Sequence, residues 1–124
     1  MLRCLLDRGA LAVAVLALLA VPASVPAADT SRAEYVERAE TICRQATEAN
    51  RGTLRGVEQM VRNGKPERAA GRFRRAATAL EATIGRLAVV PRPAADRERL
   101  SRWLGHARQG AALLRRIGDL LQED

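Results

Sequence analysis

Residues 66–121, PERAAGRFRRAATALEATIGRLAVVPRPAADRERLSRWLGHARQGAALLRRIGDLL, decide the fold. The stretch opens on a proline suited to the first position of a helix. Val90-Pro91-Arg92-Pro93 divides it, because a residue ahead of proline is pushed out of the helical region. Before the break, Ala69, Phe73, Ala77, Leu80, Ile84 and Leu87 recur at steps of three and four. From about Ala94 onward, Leu100, Leu104, Ala107, Ala111, Leu114 and Leu121 form a second such stripe, flanked by Trp103 and Ile117. That period is one face of an α-helix. Two long helices joined by so short a link are antiparallel neighbours.

Toward the N-terminus, Asn63-Gly64-Lys65-Pro66 supplies a C-cap glycine and then the helix-starting proline. Ser31-Arg32-Ala33-Glu34 is a capping box, with Ser at the N-cap and Glu three residues on. Between them, Tyr35, Ala39, Ile42, Ala46, Ala49, Thr53, Val57 and Met60 keep helical spacing. Glu34–Arg38, Glu40–Arg44 and Glu58–Arg62 place an acid four residues before a base, the favourable order. The spacing predicts one helix over 32–63, weakened in its second half by Gly52 and Gly56. Residues 28–124 are therefore expected to be all-α, an up-down-up bundle of three long helices on an Ala/Leu seam. Composition agrees: 48% of residues are apolar, only 2% are aromatic, and Ala and Leu favour helices over strands.

Residues 1–27 read as an address. Arg3 and Arg8 against Asp7 form a weakly positive start, Gly9–Val21 is a run of 13 small and apolar residues, and Pro22–Ala27 breaks it with small residues. This is the three-part pattern of a secretory signal peptide, with cleavage expected after Ala27 and Val21-Pro22-Ala23 as the second site. An uncleaved anchor is the alternative, but the run is short of the roughly 20 residues that cross a bilayer as a helix. A secreted or extracytoplasmic location follows. In such a location an odd cysteine calls for explanation, and Cys43 is the only one left once residues 1–27 are removed.

Cys43 stands beside Ile42 on the edge of the first stripe. It reads either as a small buried hydrophobe or as one half of a disulfide to a partner chain or a further segment. The last helix runs to Asp124 with no glycine or proline stop, and its acidic end opposes the helix dipole, so a chain continuing further is expected. His106 is the only histidine, with no second histidine at ligand spacing and no paired cysteines. Neither a metal site nor a Cys43–His106 nucleophile pair is expected, and Met60 with His106 makes no haem site. No cofactor and no enzymatic activity are expected.

The basic surplus is uneven. Lys65 is the only lysine among 21 basic residues, which oppose 14 acids for a net charge of +7. Residues 28–64 and 93–124 are nearly balanced, whereas 65–92 carry seven bases against Glu67 and Glu81. Lys65, Arg68, Arg72, Arg74, Arg75 and Arg86 are candidates for contact with an anionic envelope polymer or lipid headgroup, with Arg68, Arg72 and Arg75 at helical spacing. A solvated face is the plainer reading of such a charge run. Nucleic acid is not expected, since export separates the chain from it and aromatics to stack bases are few. The alternative from another class is a bundle holding a small hydrophobic ligand. The Ala-rich seam argues against it, because close helices leave little cavity.

Tyr35-x-x-x-Ala39-x-x-Ile42-Cys43 after a signal peptide, the Pro91-x-Pro93 turn, Asp96 and the Trp103-Leu104 pair resemble small secreted helical proteins of actinobacterial type. The resemblance spans most of 33–105 and rests on no chemical motif. It implies location and an all-helical fold, and also a second cysteine on a further C-terminal helix. No cysteine follows Cys43 in this sequence.

Overall fold

The computed structural model describes residues 29–123. Residues 1–27, expected from the sequence to be a signal peptide, lie outside them. The described chain is all-α, with three long helices, one short one and no strand. The elements are α1 (Arg32–Asn50), α2 (Val57–Arg62), α3 (Pro66–Ala88), a 3-10 turn at Ala94–Asp96 and α4 (Arg97–Glu123). None of these helices is long and apolar enough to cross a membrane.

The capping box forms as expected. Glu34 N–H donates to Ser31 Oγ, and Ser31 N–H donates to the Glu34 carboxylate, at 3.2 and 2.8 Å. Of the three acid–base pairs expected along 32–63, Glu58–Arg62 closes, at 2.9 Å.

The single helix expected over 32–63 does not exist. The chain leaves the helix at Arg51, turns through 51–56 and restarts as α2. Gly52 and Gly56 adopt φ of +83° and +75°, left-handed values that other residues reach at a cost. Two such residues four apart cannot sit in one right-handed helix, so the period-3.6 pattern of apolar residues continues across a real break.

Hydrogen bonds order the helices. Arg32 joins Asp96, Arg86 joins Gln45, and Arg72 joins Gly52 and Thr53, so contacts run in reverse order along α1 and α3. Arg115–Glu81 and Arg74–Gln122 do the same for α3 and α4. The α3–α4 pair is by far the most extensive contact, while the backbones of α1 and α2 approach α3 and not α4.

Small residues set that contact. A Cβ on Gly118 would lie 2.9 Å from Arg74 Cγ and 3.0 Å from the Ala70 carbonyl oxygen, so α4 fits here only without a side chain. Seven-residue steps along each helix from this point bring Ala77 level with Ala111, and Ile84 level with Leu104. All of these are buried. Ile84, Leu87, Leu104 and Ala111 form the core cluster, flanked by Ala39, Ile42, Leu80, Ala88 and Ala107. The expected seam is therefore present on α3 and α4, with Gly118 an added member.

Polar contacts fix the end where α1 starts. Asp29 accepts from Ala94 N–H with both carboxylate oxygens at 3.2 Å, capping the 3-10 turn. Asp96 is buried and receives two bonds from the Arg32 guanidinium, at 2.7 and 3.0 Å. These hydrogen bonds hold the Asp96 carboxyl below its usual range, against a smaller opposing effect of burial. Tyr35 is buried close by in sequence, and its hydroxyl meets no partner among the described residues.

Candidate anionic-surface contact

The six bases proposed from the sequence separate into two groups. Lys65 precedes α3 and is exposed, as are Arg68 and Arg75. Arg72 is half-buried and donates to the Gly52 and Thr53 carbonyls, at 3.3 and 3.2 Å. Those carbonyls lie in the turn that ends α1, so Arg72 acts there as a cap and ties the turn to α3.

Arg74 stands about a third of a turn away from Arg68 and Arg75 around the helix. It faces α4, where it reaches the Gly118 carbonyl, the Asp119 carboxylate and the Gln122 side chain. Its charge serves the α3–α4 seam. Arg86 donates to Gln45 on α1 at 2.6 Å. It lies on the line of Arg68 and Arg75, three helical turns beyond Arg75.

The break after α1 brings in two bases that an unbroken helix would have placed elsewhere. Arg51 and Arg55 are exposed in the turn, and the Arg55 side chain packs over Gly52. The turn is held by Arg72, so Arg51 and Arg55 sit at the same end of the molecule as the first turns of α3. None of Arg51, Arg55, Lys65, Arg68, Arg72 and Arg75 forms an ion pair with a described residue. The carboxylates at this end are Glu48, Glu67, Glu58, which pairs with Arg62, and on the last turns of α4 Asp119, which pairs with Arg74, and Glu123. Sequence spacing missed Arg51 and Arg55. The signal that could have found them is the Gly52/Gly56 pair, read as a turn rather than as a weak stretch of helix.

Cys43 is exposed and unbonded, which corrects the buried-thiol reading. It lines an open cleft of about 470 Å³ between α1 and α3, with Ala46, Leu54, Ala79 and Leu80. A wider cleft, of about 670 Å³, lies where Ile42 of α1 faces Val89, Val90 and Pro91. Both clefts open to solvent, unlike the largely enclosed sites that small apolar ligands occupy. Among the described residues no three His, Cys, Asp or Glu side chains converge as a metal site. His106 is exposed on α4, within 3.4 Å of Gln109.

No family model, curated protein or solved structure matches this chain.

Proposed function

We propose that the chain is an exported, non-enzymatic helical domain of the small secreted actinobacterial type, with its long helices running up, down and up. In this reading it contacts an anionic envelope surface, lipid headgroup or polymer, through its basic end. The observation that carries this is the set of exposed bases without carboxylate partners, Arg51, Arg55, Lys65, Arg68 and Arg75, gathered around the turn that Arg72 caps. Surface bases that make no internal contact keep their full charge for an external partner. Arg74 pairs with Asp119 inside the chain, while Arg72 and the exposed Arg86 donate to neutral oxygens, which positions the helices without cancelling their charge.

Binding of this kind is electrostatic, and salt weakens it, since exposed charges are screened beyond roughly 8 Å at physiological ionic strength. Each base near an anionic membrane contributes roughly 1 kcal/mol, so Lys65→Gln, Arg68→Gln and Arg75→Gln together reduce affinity about a hundredfold. Co-sedimentation with anionic and neutral vesicles tests this, with a soluble polyanion as competitor to separate lipid from polymer. Arg74→Gln is the comparison that removes a charge from the α4 side. Equal sedimentation of parent and triple variant, or equal binding to neutral vesicles, leaves the stripe a solvated face.

A further inference from the structure

Helix α4 carries a second apolar stripe, turned away from α3. Leu104, Ala111 and Gly118 face α3 and are buried, whereas Trp103, Leu113, Ile117 and Leu120 are 47%, 61%, 39% and 53% exposed. With His106 and Gly110, these residues fall at 103, 106, 110, 113, 117 and 120. Alternate steps of three and four are the spacing of a two-helix seam. Leu100, Leu114 and Leu121 flank it, half-exposed. No described element covers it, since α1 and α2 pack on α3. Contiguous exposed apolar surface of this kind marks an interaction site.

Gly110 lies within this stripe. A Cβ there would meet open space, so nothing in the fold itself asks for glycine. In mid-helix that choice costs about 1 kcal/mol relative to alanine.

We propose that the stripe docks a second copy of this chain, α4 against α4, antiparallel. The pairing that brings Trp103 against Leu120 of the partner subunit also brings His106 against Ile117 of the partner subunit, and Gly110 against Leu113 of the partner subunit. Glycine then receives a leucine, and every other layer joins two large side chains. The same register places Arg102, which within its own chain also pairs with Glu98, beside Glu123 of the partner subunit, twice by symmetry, and Gln109 beside Arg116 of the partner subunit. Leu100 and Leu114 meet Leu121 and Ala107 of the partner subunit along the other edge.

Parallel pairing has none of this complementarity. It would stack Gly110 on Gly110 and His106 on His106, and would put Arg102 and Arg116 opposite Ala107 and Leu121. Charge and side-chain size therefore select the antiparallel form. One helix face of about five turns buries less than the roughly 800 Å² per partner of a standard interface, so the dimer is weak and concentration-dependent.

Sedimentation velocity tests the proposal on protein expressed from the full chain, in a Cys43→Ser background that removes thiol cross-linking. Over roughly 5 to 500 µM the average mass rises from monomer toward dimer, as micromolar-range affinity requires. Leu113→Gln weakens association at least tenfold while the thermal melt, read by circular dichroism at low concentration, stays that of the parent. Arg102→Glu and Glu123→Arg each weaken it severalfold, and the two together restore it. A chain that stays monomeric throughout, an indifferent Leu113→Gln, or a double swap that fails to restore association overturns the proposal.

Discussion

Replacing Gly118 by alanine sets two opposing effects against each other, and the geometry decides between them. Alanine in mid-helix gains about 1 kcal/mol over glycine. Against this, the new methyl would lie 2.9 Å from Arg74 Cγ and 3.0 Å from the Ala70 carbonyl oxygen. The carbonyl belongs to a fully buried stretch of α3 backbone and has little room to retreat. Arg74 is held by Gly118, Asp119 and Gln122, so its stem moves only by loosening those contacts. Overpacking a tight contact costs typically 1–3 kcal/mol, so a net loss of about 1 kcal/mol is expected. In a domain of this size that lowers Tm by about 4–8 °C. Gly105→Ala, on the same helix with open space at its Cβ, keeps the helix gain and raises Tm by a similar amount. Thermal melts followed by far-UV circular dichroism compare the two. An Arg74→Ala background, which removes one of the two clashes, reduces the cost of Gly118→Ala. If Gly118→Ala stabilises as much as Gly105→Ala, α4 does not approach α3 as closely as described and the account of the seam fails.

Three further outcomes are expected. Gly56→Ala forces a left-handed residue with no steric neighbour into strain and costs about 1 kcal/mol in denaturant unfolding; a neutral result would show that α1 and α2 are one helix in solution. Tyr35→Phe removes a buried hydroxyl without a partner, so stability stays within about 0.5 kcal/mol of the parent or rises. A loss above about 1 kcal/mol would reveal a bond to that hydroxyl. Because the folded Asp96 carboxyl titrates below its usual range, the stability it contributes is present above about pH 4 and is lost as pH falls further. The stability gap between the parent and Asp96→Asn therefore narrows on acidification, and a gap independent of pH would refute the Arg32–Asp96 pairing.

Local signals settled much of the fold before any tertiary contact was known. The capping box at Ser31, the proline at 66 and the Pro91-x-Pro93 break are short-range events, governed by backbone groups a few residues apart. The stripe from Ala69 to Leu87 and the one from Leu100 to Leu121 each name a face, and burial agrees at Ala69, Ala77, Ile84, Leu87, Leu104 and Ala111, while Leu100, Leu114 and Leu121 are only half-buried. The Arg68–Arg75 spacing likewise showed that these bases share one side of α3.

Tertiary structure decided what periodicity cannot carry. The stripe of small and apolar residues from Tyr35 to Met60 keeps helical spacing through a turn, because burial selects residues on either side of a break as readily as along a helix. Only the positive φ at Gly52 and Gly56 reveals the turn, and with it the placement of Arg51 and Arg55. The sorting of the basic residues depended on partners far away in sequence. Arg74 belongs to the α4 seam because Gly118 and Gln122 happen to lie opposite it, and Arg72 caps a turn 19 and 20 residues earlier. Arg32 and Asp96 meet across 64 residues of chain, a distance at which spacing carries no information. Charge and hydrophobicity are properties of single residues and can be read in order along a chain. Which charge is spent inside the fold and which is left for a partner is a property of pairs, and the pairs form only when the helices pack.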